Sequence, residues 1–90
     1  MLIPIYERRF VKEVQKSKNR GKDMQKLKDI INILLSSQVL PIKNRNHKLK
    51  GNFINYWECH IEPDWLLIYK LTETEVIFAR IGTHSDLFND

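Results

Sequence analysis

Residues 57–71, WECHIEPDWLLIYKL, constrain this chain more than any other stretch. Two strand-length, apolar-rich runs flank Glu62-Pro63-Asp64 and read as a hairpin. In the first run Trp57, Cys59 and Ile61 alternate with Tyr56, Glu58 and His60. The second, Trp65 to Leu71, is almost wholly apolar, so alternation fixes little beyond grouping Leu66 with Ile68. A hairpin needs the apolar residues. It does not need a histidine and three carboxylates crowded round its turn, so the stretch is either a decorated hairpin or one wall of a reactive site.

The flanking segments extend this frame. Leu2 to Tyr6 reads as a short strand, with Pro4 pointing to an edge or a strand start. From Glu7 the period changes: Phe10, Val11 and Val14 fall at helical spacing, and Gly21 suits the C-terminal stop. A second helix is expected over Lys22 to Ser37, with Met24, Leu27, Ile30, Ile31, Leu34 and Leu35 as its core stripe. Asp23 falls in its first turn, and Pro41 bars continuation. The two helices read as an antiparallel pair.

Residues 42–52 form a basic loop carrying Lys43, Arg45, His47, Lys48 and Lys50, long for a bare connection. After a turn at Thr72 to Glu75, Ile77, Ala79 and Ile81 alternate with Val76, Phe78 and Arg80. If Trp57, Cys59, Ile61 and this set face the helices, period two puts His60 and Arg80 together on the opposite, uncovered face. The tail GTHSDLF brings a glycine turn, His84, Leu87 and Phe88, as a short helical turn or an extended tail. Glu58 and Glu62 read as surface charges.

Ninety residues support one domain, 1–90. The formal charge of +4 favours a polyanionic or acidic partner. A lone Cys59 rules out an intrachain disulfide, and neither HExxH nor paired CxxC is present. The opening MLIPIYERRF is too short an apolar run for a signal peptide. No run approaches the roughly 20 apolar residues of a membrane span, so a cytoplasmic location is expected.

The polar candidates suit acid–base chemistry on a phosphodiester. RNA carries its own nucleophile, the ribose 2′-hydroxyl. A protein need only remove that proton, stabilise the phosphorane, and protonate the leaving 5′-oxygen. Imidazoles, with an unperturbed pKa of about 6.5, suit both transfers. Arg80 suits phosphoryl oxygens through bidentate bonds. Phe88 or Trp65 suits base stacking, and the basic loop suits backbone contact. No metal or cofactor is required, although His47, His60, His84 and Asp64 could also form a zinc site, giving a zinc hydrolase.

The runs NHKLKG, HIEPDWLLIYK and RIGTHSDLF resemble, in order and spacing, the YafQ-type toxins of the RelE superfamily. These are ribosome-dependent mRNA interferases of bacterial toxin–antitoxin modules, and the resemblance covers essentially the whole chain. It implies an α+β fold: a mostly antiparallel four-stranded sheet with two N-terminal helices packed on one face. It implies an endoribonuclease leaving a 2′,3′-cyclic phosphate and a 5′-hydroxyl, with no cofactor.

Carried over by position, the implied catalytic residues are His47, His60, Asp64, Arg80, His84 and Phe88. His84 would donate the leaving-group proton. His47, His60 and Asp64 would share proton abstraction, Arg80 would hold the phosphate, and Phe88 would contact bases. Lys43, Arg45, Lys48 and Lys50 would contact RNA, and so would Trp65, which matches an aromatic of the motif whose alternative role is structural. The implied partners are a cognate antitoxin, mRNA, the ribosomal A site, and operator DNA through the antitoxin complex, with no membrane. The rival within the same fold is a non-catalytic RNA- or antitoxin-binding module acting as transcriptional co-repressor.

Overall fold

The computed structural model describes residues 1–88. Strand β1 (Ile3–Tyr6) leads into helices α1 (Arg8–Asn19) and α2 (Met24–Leu35). Then come β2 (His47–Lys48), β3 (Trp57–Glu62), β4 (Trp65–Leu71), β5 (Glu75–Gly82) and the short helix α3 (His84–Phe88). The strands form one sheet in the order β1-β5-β4-β3-β2. Only β1 and β5 run parallel; the other pairs are antiparallel. The helix pair between β1 and the rest supplies the crossover that a parallel pair needs.

The sheet thus has five strands where the sequence led us to expect four, within the same α+β architecture. The extra strand is β2, two residues long, in the basic loop. A run that short has no period to read. Its pairing is created by the free edge of β3, where His47 lies opposite Glu58 and Lys48 opposite Trp57.

Both helices form where the apolar spacing places them, with trimmed ends. Asp23 is the N-cap of α2 rather than a first-turn residue, its carboxylate accepting from the Gln25 N–H at 2.9 Å. Gly21 follows α1 in the left-handed region at φ +85°, which glycine adopts without a Cβ penalty. Phe10 of α1 and Leu27, Ile30, Leu34 and Leu35 of α2 bury against Cys59, Ile61, Trp65, Leu67, Tyr69, Val76, Phe78 and Ile81.

The facing of β5 differs from simple alternation. Ile68 pairs with Arg80 and Tyr69 with Phe78, so Ala79 is an extra residue in a bulge. Val76 and Phe78 face the helices before it, and Ile81 after it. Arg80 still shares the face of Ile68, as expected, but because the bulge shifts the phase. That face is not uncovered. Leu66, Ile68, Ala79 and Leu87 bury there beneath Leu49, Phe53, Tyr56 and Phe88. The 49–56 segment and α3 therefore lie over the far side of the sheet and frame the polar residues beside them.

Candidate active site

His60 comes from β3, opposite Leu66 and therefore on the face away from the helices. A second irregularity follows directly, with Glu62 rather than Ile61 opposite Trp65. Such bulges re-aim neighbouring side chains. The His60 carbonyl accepts from the buried Asn44 amide at 2.8 Å, which ties the basic loop to β3. Tyr69 donates to Asn46 Oδ1 at 2.6 Å and pins the same loop one residue before His47. Arg45 takes a left-handed φ of +48° there, and its carbonyl lies 2.7 Å from His47 Nδ1.

These restraints bring three imidazoles into a row. Ring centroids of His47 and His60 are 6.4 Å apart, and those of His60 and His84 are 5.9 Å apart. Two carboxylates serve the row, Glu58 between His47 and His60 and Asp64 at the His84 end. Glu58 Oε1 lies 3.4 Å from His47 Nε2 and 3.5 Å from His60 Nε2. At the His84 end Asp64 Oδ1 accepts the His84 backbone N–H at 2.9 Å and lies 2.5 Å from His84 Nδ1.

The hydrogen bonds set which nitrogen is free. Backbone carbonyls of Arg45 and Pro63 take Nδ1–H of His47 and His60, at 2.7 and 3.3 Å. Both Nε2 atoms then face the one Glu58 oxygen, where a neutral ring presents its basic lone pair. In His84 the carboxylate takes Nδ1–H, which leaves Nε2 free on a side chain 56% exposed. Bonds from the His84 backbone and ring hold the Asp64 carboxyl below the usual range, so Asp64 stays ionised at neutral pH.

Glu58 is the residue that sequence reasoning missed. It is 5% exposed, so it is a buried carboxylate between two imidazoles and not a surface charge. The signal was present: alternation puts it on the face of His60. Asp64, expected to share proton abstraction and hydroxyl orientation with His47 and His60, is bonded to His84. Glu62 is a charge of the ordinary kind, paired at 3.0 Å with both Lys22, just before α2, and Lys26 within it.

Arg80 is 9% exposed, and its guanidinium is committed on one edge. Nε and Nη2 donate to Glu13 at 2.9 and 2.7 Å, and Nη2 also donates to the Asp86 carbonyl at 3.3 Å. Nη1 has no partner among the described residues. A bidentate phosphate contact through the Nε–Nη2 edge is therefore blocked, and Nη1 is the donor left over.

Phe88, at the end of α3, is half-buried and meets Phe53 edge-on at 5.9 Å. Lys43, Arg45, Lys48 and Lys50 are all exposed, with Lys48 Nζ 5.4 Å from the Trp57 ring. Trp65 does not belong with them. It is 1% exposed in the core under the helices, and its Nε1 donates to Ser17 Oγ at 3.1 Å. No base can stack on it; its placement beside Asp64 in sequence hid its facing.

Among the described residues no three His, Cys, Asp or Glu side chains converge as a metal-binding group. No helix is long and apolar enough to cross a membrane.

Hydrogen bonds from Arg20 and Thr83 hold Asp86 well below the usual carboxylate range, and Lys22 and Lys26 lower Glu62. Lowered acids stabilise the fold above their ordinary values, 3.8 for aspartate and 4.5 for glutamate, and that contribution is lost as pH falls toward the lowered ones. Urea midpoints are expected to hold from neutral pH to about pH 5 and to drop below about pH 4. The drop should be shallower in Asp86→Asn; an equal slope in that variant would contradict the assignment.

Comparison with known proteins shows the family and the fold. The family model described as "Bacterial toxin of type II toxin-antitoxin system, YafQ" matches residues 3–89. The chain is 42% identical over 84 residues to the mRNA interferase toxin YafQ of Escherichia coli K12, covering 92% of this chain and 91% of that one. The crystal structure of YafQ from E. coli BL21(DE3) superposes with a TM-score of 0.94 at 38% identity, covering 99% of this chain and 100% of that one. YafQ in the E. coli DinJ-YafQ toxin-antitoxin complex gives 0.91 at 39% identity, covering 98% of each chain.

Proposed function

Since this chain belongs to the YafQ family of bacterial type II toxins, within the RelE superfamily, we propose that it is an endoribonuclease that cuts mRNA on the ribosome. The observation that carries the reading is the imidazole row, with Glu58 between His47 and His60 and Asp64 on His84. It supplies separate groups to take a proton and to give one. The 2′-hydroxyl of the bound ribose loses its proton to the His47–His60 pair, whose Nε2 atoms share Glu58. Its oxygen attacks the adjacent phosphorus. His84, oriented by Asp64, gives its proton from Nε2 to the departing 5′-oxygen. The products are a 2′,3′-cyclic phosphate and a 5′-hydroxyl.

Arg80 Nη1 takes a non-bridging oxygen as charge builds on the phosphorane. Phe88 supports the base, and Lys43, Arg45, Lys48 and Lys50 meet the RNA backbone. So few contacts on a 90-residue domain fit a substrate presented by the ribosomal A site. A cognate antitoxin is the second partner, binding operator DNA together with the toxin.

Glu58→Gln keeps the shape of the side chain and removes its charge. We expect single-turnover cleavage to fall about 10- to 100-fold, since general acid–base catalysis contributes roughly 10²- to 10⁴-fold. An unchanged rate would separate Glu58 from the chemistry. The activity itself is tested by freeing the chain from its antitoxin and mapping cuts in translated mRNA, with and without a chelator. Cuts insensitive to the chelator are expected. Translation arrest without cuts would favour the binding-module reading, and cleavage lost to the chelator but restored by zinc would overturn the metal-free route.

A further inference from the structure

One face of α1 and its C-cap carries a polar stripe at Glu13, Ser17 and Arg20, four and three residues apart. Ser17 accepts from buried Trp65 at 3.1 Å. Glu13 and Arg20, on either side of it, reach past the core to the C-terminal end of β5 and to α3.

Strand β1 pairs with β5 only as far as Phe78, so the last residues of β5 have a free edge. Glu13 fills it. One oxygen accepts the Ile81 N–H at 3.2 Å, a bond that a neighbouring strand would otherwise supply. The same carboxylate grips Arg80 through Nε and Nη2. Arg20 Nη1 and Nη2 meet the two oxygens of Asp86 at 2.6 and 3.3 Å, and Lys16 stands 3.6 Å from one of them.

Asp86 is also bound within the tail. Its carboxylate accepts the Thr83 N–H at 3.0 Å and its own N–H donates to Thr83 Oγ1 at 3.1 Å, a reciprocal cap at the start of α3. Asp86 sits so close to the strand end that a Cβ on Gly82 would lie 2.8 Å from the Asp86 Cβ. The residues between these anchors include His84, and Phe88 follows.

We infer that Glu13 and Arg20 form a two-point clasp from α1 that positions the cleavage machinery: Glu13 orients Arg80 so that Nη1 is its free donor, and Arg20, through Asp86, sets the turn that carries His84 and Phe88. The inference rests on the roles proposed above for Arg80 and His84. Neither Glu13 nor Arg20 touches RNA in this scheme. The clasp also fixes a sign. A carboxylate that competed with the phosphate for Arg80 would restrain cleavage, whereas one that orients Arg80 promotes it.

The test uses the full chain on programmed ribosomes, with kcat and KM measured separately, alongside amide hydrogen exchange on the free protein. Arg20→Gln should lower kcat about tenfold with KM within about twofold, as small misplacements of reacting groups cost rate rather than binding. Arg20→Lys, which keeps the charge, should stay within about threefold of the parent. Exchange at residues 85–88 should quicken in Arg20→Gln while β3, β4 and β5 keep their protection. Glu13→Gln should lower kcat as well. A rise in kcat for Glu13→Gln, or wild-type kcat with unchanged α3 protection in Arg20→Gln, would overturn the clasp. If the parent chain cuts nothing, the nuclease reading fails by itself. Exchange then still decides, with faster exchange in α3 supporting the clasp and unchanged exchange overturning it.

Discussion

His84→Ala is expected to slow mRNA cleavage about 10²- to 10⁴-fold, the range that a general acid contributes, with little change in thermal stability. The side chain is half-exposed and its ring bonds only to Asp64 among the described residues, so its loss opens no core cavity. The His84 backbone N–H still reaches Asp64, and the start of α3 keeps its Thr83–Asp86 cap. What disappears is Nε2, the nitrogen that Asp64 leaves free. The leaving 5′-oxygen must then depart without a proton from the protein. Single-turnover cleavage on programmed ribosomes, paired with a melting curve, measures both halves of the prediction. A variant that melts normally and cuts like its parent would remove His84 from the mechanism.

Trp65→Ala is expected to act on folding. Trp65 is 1% exposed, and truncating a buried tryptophan costs about 3–5 kcal/mol through lost transfer energy and the cavity left behind. Ser17 Oγ, buried with it, loses its partner for about 1 kcal/mol more. Domains of this kind have only about 5–15 kcal/mol in total. At about 4–8 °C for each kcal/mol, the melting temperature should fall by about 12 °C or more. Trp65→Phe keeps most of the packing and gives up the bond to Ser17, so it should fold and should cut at the parent rate within about threefold. A well-folded Trp65→Phe that cuts a hundredfold more slowly would return Trp65 to the RNA surface.

The contrast between these two residues marks what the amino-acid pattern could and could not reveal. The helices were legible because each has one apolar stripe at three- and four-residue steps. His60 was placed correctly because β3 alternates cleanly. Trp65 was not, because β4 is buried on both faces and an all-apolar strand has no polar side to give its facing away. In β5, residues 76–79 are apolar without interruption, so either phase fits and the bulge at Ala79 leaves no trace. Arg80 was assigned to its face through an alternation that the bulge breaks.

The site was legible in parts for similar reasons. His47, His60, Asp64 and His84 stand in three separated runs, and the pairing of β2 with β3 and the docking of α3 bring them together, whereas Arg80 is held by Glu13 and Phe88 packs on Phe53. Glu58 shared the period of His60, yet burial is a tertiary property. A carboxylate reads as solvent-facing until a loop with its own histidine closes over it. The Glu13–Arg80 pair joins residues 67 apart in sequence, and nothing local announces it.

The proposed cleavage uses the 2′-hydroxyl of the substrate as nucleophile, with the chain's own histidines moving the protons. The most direct measurement replaces that hydroxyl by hydrogen at the scissile nucleotide of a ribosome-bound mRNA and analyses the ends of any product. Cleavage of the all-ribose message to a 2′,3′-cyclic phosphate and a 5′-hydroxyl, and no cleavage of the deoxy-substituted one, is the result predicted. Cutting of the deoxy-substituted message at a comparable rate would show that another nucleophile attacks and would contradict the account.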